Sequence, residues 1–286
     1  MILHKIKIIL DMIKFEHTIF ALPFAMMSAF IASGGFPPAG KLGWILVAMV
    51  GARSCAMAFN RLADARIDKA NPRTAMRAIP SGLITEGAVW LFTLVSAALL
   101  VLAAYKLNSL AFALSPVALA VIMGYSYTKR FTSLSHLWLG LSLSIAPIGT
   151  WIAIRGQFDL TPMLLGLAVL LWTAGFDIIY ACQDLNFDHK YGLYSIPVRF
   201  GIRSALWLSS ALHVMMIGVL IGVTLLTNLG VLYLIGVGVV TIILIYEHAI
   251  VKPNDLSRVN LAFFTLNGMV SLVLMALSVA DMLLRW

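Results

Sequence analysis

The chain has 286 residues and a formal charge of +8, with 61% hydrophobic residues and only 11% charged ones. A soluble domain carries roughly 25% charged residues, so a water-soluble globule is excluded, and the alternating pattern of a membrane β-barrel is absent. The positive balance does not point to nucleic acid, because the bases sit in short loops between apolar runs.

The recurring apolar runs predict an all-α membrane protein, read as one integral-membrane domain over residues 1–286. Residues 1–16 put Ile2, Leu3, Ile6, Ile9, Leu10 and Ile13 on one face and Lys5, Lys7, Asp11 and Lys14 on the other. That pattern predicts an amphipathic helix lying on the membrane rather than a cleavable signal. Nine spans follow, near 17–34, 42–63, 83–105, 109–127, 134–154, 162–183, 203–226, 229–250 and 260–284. Turn signals separate them, among them Gly34-Gly35-Phe36-Pro37-Pro38, Asn71-Pro72, Lys106-Leu107-Asn108, Arg155-Gly156, Thr227-Asn228 and Lys252-Pro253-Asn254. With the N-terminus inside, most loop bases fall inside, and the outside keeps only Lys41, Lys106, Arg155 and Arg285. Cys55 and Cys182 lie in predicted spans without metal spacing and read as small packing residues.

Two polar stripes interrupt this pattern. The end of the second span carries Arg53, Asn60, Asp64 and Asp68, in steps of seven, four and four; the end of the sixth carries Asp177, Asp184 and Asp188, in steps of seven and four. Such steps stack side chains on one helix face, where like charges repel unless a cation lies between them. Each stripe leads to a polar loop and a turn, through Ile79-Pro80-Ser81-Gly82 in one case and Ile196-Pro197 and Gly201 in the other. The echo reads as a weak internal duplication that sets two acidic helix ends towards one cavity.

Converging carboxylates without a His/Cys cluster are hard oxygen ligands that suit Mg2+, which also takes water and substrate phosphates. The neighbouring Arg53, Arg61, Arg66, Lys69, Arg73, Arg77, Lys129 and Arg130 suit a phosphate-rich substrate. In a membrane cavity this set predicts a Mg2+-diphosphate with a lipid tail, and the chemistry is departure of diphosphate. An allylic tail leaves as a carbocation, for which Tyr125, Tyr127, Phe131, Trp172, Phe176 and Tyr180 are candidate neighbours. Plainer readings stand beside these: acids solvated at helix ends, a structural Arg53–Asp177 pair, loop bases that serve topology, and aromatics that pack the core. The six histidines are scattered, and none is assigned a catalytic role.

Asn60-x-x-x-Asp64-x-x-x-Asp68 and Asp177-x-x-Tyr180-Ala181-x-x-Asp184-x-x-x-Asp188 resemble the two signature motifs of the UbiA superfamily of membrane prenyltransferases. Tyr125-x-x-x-Lys129 resembles a third motif, and the likeness runs from KFEHTIFALP through SIPVRFG. The resemblance implies a nine-helix bundle around a central cavity open sideways to lipid; the loop charges put both acidic motifs and Lys129-Arg130 on the cytoplasmic side of what reads as a bacterial inner membrane. It implies that two Mg2+ ions hold a polyprenyl diphosphate between the aspartate motifs, with Asn60, Asp64, Asp68, Asp184 and Asp188 as the ligand set. Arg53, Lys129, Arg73 and Arg77 would then bind diphosphate oxygens. Tyr125 would orient Lys129 or, like Tyr180, line the cation's path; Asp177 would polarise the acceptor hydroxyl, and Arg130 would hold its carboxylate. The chain looks most like the bacterial 4-hydroxybenzoate polyprenyltransferases of ubiquinone-type synthesis. Segments such as SYTKRFTSLSH also resemble a subgroup of futalosine-route menaquinone synthesis, whose aromatic acceptor is 1,4-dihydroxy-6-naphthoate. Asn186, between Asp184 and Asp188, departs from relatives with a further acid there.

Two readings of other kinds stand beside this one. A divalent-cation or proton-coupled transporter also keeps acids in its spans, but there the polar groups continue to both sides. A CDP-alcohol phosphotransferase would carry a DG-x-x-AR pattern, which is absent.

Overall fold

The computed structural model of the chain describes residues 2–13 and 18–284. The expectations placed on Lys14, His17 and Arg285, and on the last residues of the 1–16 surface helix, lie outside these. The described residues are helical almost throughout, without a strand, and an isolated antiparallel bridge joins Lys252 to Asp255. They form two compact units, one from Met1–Thr18 and Gly43–Tyr127, the other from Ile19–Leu42 and Thr128–Trp286.

The first unit contains α1 (Ile2–Ile13), most of α3 (Ala39–Ala63), α4 (Ala65–Ala70), α5 (Glu86–Leu107) and α6 (Ser109–Thr128). Thr85 caps α5 by accepting the Ala88 N–H, with Glu86 favourably placed in the first turn. Asn108 ends α5, and its Oδ1 then accepts the Ala111 N–H at 2.8 Å to start α6. One residue thus closes the first helix with its backbone N–H and opens the next with its side chain. Helices α3 and α5 touch backbone to backbone: a Cβ on Gly51 would lie 2.8 Å from the Leu100 nitrogen. Small residues are what permit such approach in a membrane, where packing rather than water drives helix association. A small cluster of Met12, Ile13, Ala58 and Val89 holds the end of α1.

The second unit contains α2 (Thr18–Ser33), α7 (Ser135–Arg155), α8 (Leu160–Ala181), α9 (Leu185–Lys190), α10 (Ile196–Val223), α11 (Val231–Ile250) and α12 (Asn267–Leu283). Helix α8 packs on both α7 and α10 and is apolar almost all round, as a buried helix must be. Its glycines set the spacing. A Cβ on Gly166 would come within 2.6 Å of Ile148, and one on Gly175 would strike the His213 ring. The core here is large: Phe20, Phe24, Trp172, Phe176, Met216, Leu220 and Leu274 are all buried.

Eight described helices are long and apolar enough to cross a bilayer. Each lies within a few residues of a predicted span, except at the seventh, where α10 begins at Ile196 and breaks at Gly201. Gly201 has φ 77°, which costs a residue with a side chain but not glycine. The long part of that helix therefore starts where the span was expected. The first expected span corresponds to α2, of 16 residues. At 1.5 Å per residue it is about 24 Å long, short of a hydrocarbon core of roughly 30 Å.

Candidate active site

In the first unit the Asn60, Asp64 and Asp68 stripe is real. Asp64 stands between α3 and α4 at φ −94°, ψ 5°, in the sparsely used bridge region where turn and active-site residues gather. The hydrogen-bond ladder nevertheless continues through it. The Asp64 N–H reaches the Asn60 carbonyl at 2.9 Å, and the Asp68 N–H reaches the Asp64 carbonyl at 2.7 Å. Asn60 Nδ2 donates to Asp64 Oδ2 at 3.3 Å and lies 3.5 Å from Ser126 Oγ.

Asp64 and Asp68 are only 3% and 4% exposed, and a buried carboxylate needs a partner. For Asp68 the partner is Arg77, whose Nη1 lies 2.7 and 2.8 Å from the two carboxylate oxygens. Turn chemistry brings it there. Asn71 ends α4, its Oδ1 accepts the Arg73 N–H, and Thr74 Oγ1 donates to the Asp68 carbonyl. Arg61 is buried within electrostatic reach of Asp64 and Asp68, and its Nε donates to the Met12 carbonyl at the C-terminal end of α1. Orphan carbonyls at a helix end attract such a cation, so Arg61 ties α1 to the acidic stripe. Arg66, Lys69 and Arg73 are exposed, while Arg53 and Tyr125 are half-buried on α3 and α6.

The second unit repeats this construction. Asp184 ends a 3-10 turn at φ −96°, ψ 3°, within two degrees of Asp64 in both angles. A six-residue helix follows in each case, with the second aspartate at its fourth position: Asp68 in α4, Asp188 in α9. Gly82 and Gly201, the glycines of the two later turns, both have positive φ. The echo in the sequence is therefore an echo in the backbone. Burial differs, since Asp184 and Asp188 are half-buried and Asn186 is exposed.

Deeper in α8, Asp177 Oδ2 lies 2.7 Å from Nδ1 of His136 on α7. Lys129 is half-buried, and its carbonyl accepts the Tyr194 N–H at 2.7 Å. Arg130 is exposed beside it. A cavity of about 340 Å3 opens there, lined by Phe131, Ser133, Tyr194, Ser195 and Arg199 among others. Its lining does not include the aspartates.

Residues 21–269 match the UbiA prenyltransferase family. The chain belongs to that family. Among its relatives, the 4-hydroxybenzoate octaprenyltransferase of Vesicomyosocius okutanii is 29% identical over 230 residues, 80% of this chain and 84% of the relative. The enzyme of the same name from Xanthomonas campestris pv. campestris is 31% identical over 79% of this chain and 74% of its own. Among solved structures, a UbiA homologue from Aeropyrum pernix K1 superposes with a TM-score of 0.85 at 34% identity, covering 93% of this chain and 98% of that one. A UbiA homologue from Archaeoglobus fulgidus, bound to DMAPP and Mg2+, shares the fold at a TM-score of 0.75 and 21% identity, over 96% and 98%.

For this prenyltransferase the aromatic candidates divide. Trp172 and Phe176 are buried in the core, and the Trp172 indole N–H donates to Asn267 Oδ1 at 2.6 Å. They pack rather than line a substrate path. Tyr180 is half-buried, its ring 4.3 Å from that of Phe263, and Tyr127 meets Phe59 edge to face. Cys55 and Cys182 are buried free thiols, as the packing reading expects.

Two polar residues escaped the sequence reading. His136 had no distinguishing spacing. Glu247 had one signal, an acid within an apolar run; it is fully buried, with Oε1 accepting from Asn267 Nδ2 at 3.3 Å.

Among the described residues, no three His, Cys, Asp or Glu side chains group closely enough to hold a metal by themselves. Zinc would need such a cage, whereas Mg2+ uses one or two carboxylates and completes its shell with water and phosphate. The all-oxygen donors of each aspartate pair fit the second case. Asp68 already shows the preference of its position for a cation, here a guanidinium.

Proposed function

We propose that this prenyltransferase moves a polyprenyl chain from its diphosphate to a ring carbon of 4-hydroxybenzoate, in a Mg2+-dependent reaction. The observation that carries the reading is the twin construction at Asp64 and Asp184, each an interrupted helix with a second aspartate one turn on. The names of the relatives support the acceptor, and the Mg2+ and DMAPP bound by the Archaeoglobus homologue support the donor class.

In this reading Asn60, Asp64, Asp68, Asp184 and Asp188 are the residues that would hold Mg2+. Bound Mg2+ supplies neutralising charge for the leaving group. Arg53, Lys129, Arg73 and Arg77 bind the diphosphate oxygens, and Arg77 must exchange Asp68 for phosphate as substrate enters. The bond between the first prenyl carbon and the diphosphate oxygen breaks, a carbon–carbon bond forms to the ring, and the ring loses a proton. Tyr125 and Tyr180 flank the path of the cationic carbon. Asp177 polarises the acceptor hydroxyl, and Arg130 binds the acceptor carboxylate. The reading also carries a ninth span through α2, a central cavity open to lipid, and a site on the cytoplasmic side of a bacterial inner membrane.

The test is product formation by purified membranes with Mg2+ and a polyprenyl diphosphate, offering 4-hydroxybenzoate or 1,4-dihydroxy-6-naphthoate separately. Product from 4-hydroxybenzoate alone is expected. Product from the naphthoate alone moves the acceptor, and product from neither overturns the reading. Mg2+ flux into proteoliposomes without prenyl substrate would point to transport instead.

A further inference from the structure

His136 sits in the first turn of α7 and is buried, its side chain 4% exposed, while the Asp177 side chain is 15% exposed. Both ring nitrogens are engaged. Nδ1 faces Asp177 Oδ2 at 2.7 Å, and Nε2 accepts the backbone N–H of Ile196 at 3.3 Å. A nitrogen that accepts carries no proton, so Nδ1 bears the hydrogen and donates it to the carboxylate.

The Ile196 N–H is itself an orphan, the first donor of α10. The rest of that turn is accounted for. Pro197 has no N–H, the Val198 N–H goes to the cap Ser195 Oγ at 3.3 Å, and the Arg199 N–H goes to the Ser195 carbonyl at 3.0 Å. Among the described residues, His136 is the acceptor that the Ile196 N–H meets. The neighbouring Tyr194 N–H is fixed on the Lys129 carbonyl. The start of α10 therefore sets the tautomer of His136 from behind, and His136 sets the Asp177 carboxylate in front.

We propose that His136 is a positioning residue for the transfer reaction. Its Nδ1–H holds Asp177 by one oxygen, so that the other is presented to the acceptor hydroxyl. The ring is not a proton relay, because Nε2 is occupied by an amide that does not give up its hydrogen. The proposal rests on the assignment of Asp177 to the acceptor in the reading above.

Two substitutions in the full-length protein separate the two bonds. His136→Asn keeps an N–H near the position of Nδ1 and loses the acceptor for Ile196. His136→Gln places an oxygen near the position of Nε2 and loses the donor to Asp177. With Mg2+, polyprenyl diphosphate and 4-hydroxybenzoate, the Asn variant should keep kcat within about threefold of the parent. The Gln variant should lose roughly tenfold or more, the worth of a hydrogen bond to a charged group, with KM for the prenyl diphosphate unchanged. Adding His136→Gln to Asp177→Asn should cost nothing further, because the residue would have nothing left to position.

The opposite pattern, Gln active and Asn inactive, would show that His136 only anchors α10 and would overturn the proposal. So would loss of prenyl diphosphate binding or of the thermal unfolding transition in both variants. A parent that binds prenyl diphosphate but yields no product with either acceptor removes the functional reading and this proposal with it. A productive parent with the reversed pattern removes the proposal alone.

Discussion

Removing Arg77 should strand a buried charge. Asp68 has a side chain only 5% exposed, and its two oxygens share Nη1 of Arg77, whose side chain is 30% exposed. An exposed pair is worth about 0–1 kcal/mol, whereas deleting one partner of a buried pair costs about 3–5 kcal/mol. Asp68 is in the second class and Arg77 near its edge, so Arg77→Ala should cost about 3 kcal/mol. For a chain of this size that is a fall of roughly 6 °C in Tm. The assay is thermal unfolding of the purified protein in detergent, in chelator and again in Mg2+, which should return part of the loss by taking the arginine's place. Adding Asp68→Asn removes the stranded charge and should recover most of the stability without recovering activity. An Arg77→Ala protein that unfolds within about 1 °C of the parent would refute the reasoning, because it would place the pair in the weak, solvent-screened class.

Asp64→Ala and Asp184→Ala should each lower turnover on the order of a hundredfold or more while the protein stays folded in the membrane, because neither side chain caps its own helix. Normal product yield in either would end the metal reading. Gly175→Ala would drive a methyl group into the His213 ring, which is held at 3.2 Å by the Trp172 carbonyl and at 2.9 Å by His248. A loss of about 2 kcal/mol is expected in equilibrium unfolding, the usual cost of overpacking, and an unchanged midpoint would mean that α8 and α10 can part freely. Asp281 accepts the N–H groups of Gly230 and Leu232 at 2.6 and 3.0 Å, closing the start of α11 from α12. Asp281→Ala should cost about 1–2 kcal/mol, and hydrogen exchange at the first turn of α11 should rise; unchanged exchange there would exclude the cap.

The aspartate stripes were legible because they are local. Four-residue steps fix a helix face whatever the fold, and the ladder through Asn60, Asp64 and Asp68 bears this out. The apolar runs likewise had to become helices, since a backbone in lipid must satisfy its own hydrogen bonds. The nature of the breaks was less legible. Nothing in the letters puts Asp64 and Asp184 at nearly the same φ and ψ, because both depend on how a short second helix restarts after an interrupted first. The aromatic series shows the same limit: Trp172, Phe176 and Tyr180 share one spacing on α8, yet two are core and one is half-buried. Burial is set by neighbours from other helices.

By itself, then, the sequence determined the helices, the two acidic stripes and the chemical class of their donors, all properties of residues within a turn or two of one another. Tertiary structure alone decided which partner Asp68 and Asp177 take. Asp68 meets Arg77 because an Asn71 turn folds the loop back, and Asp177 meets His136 because α7 lies against α8. The pairing of buried acids with donors follows from desolvation, which exists only once other helices have displaced the solvent.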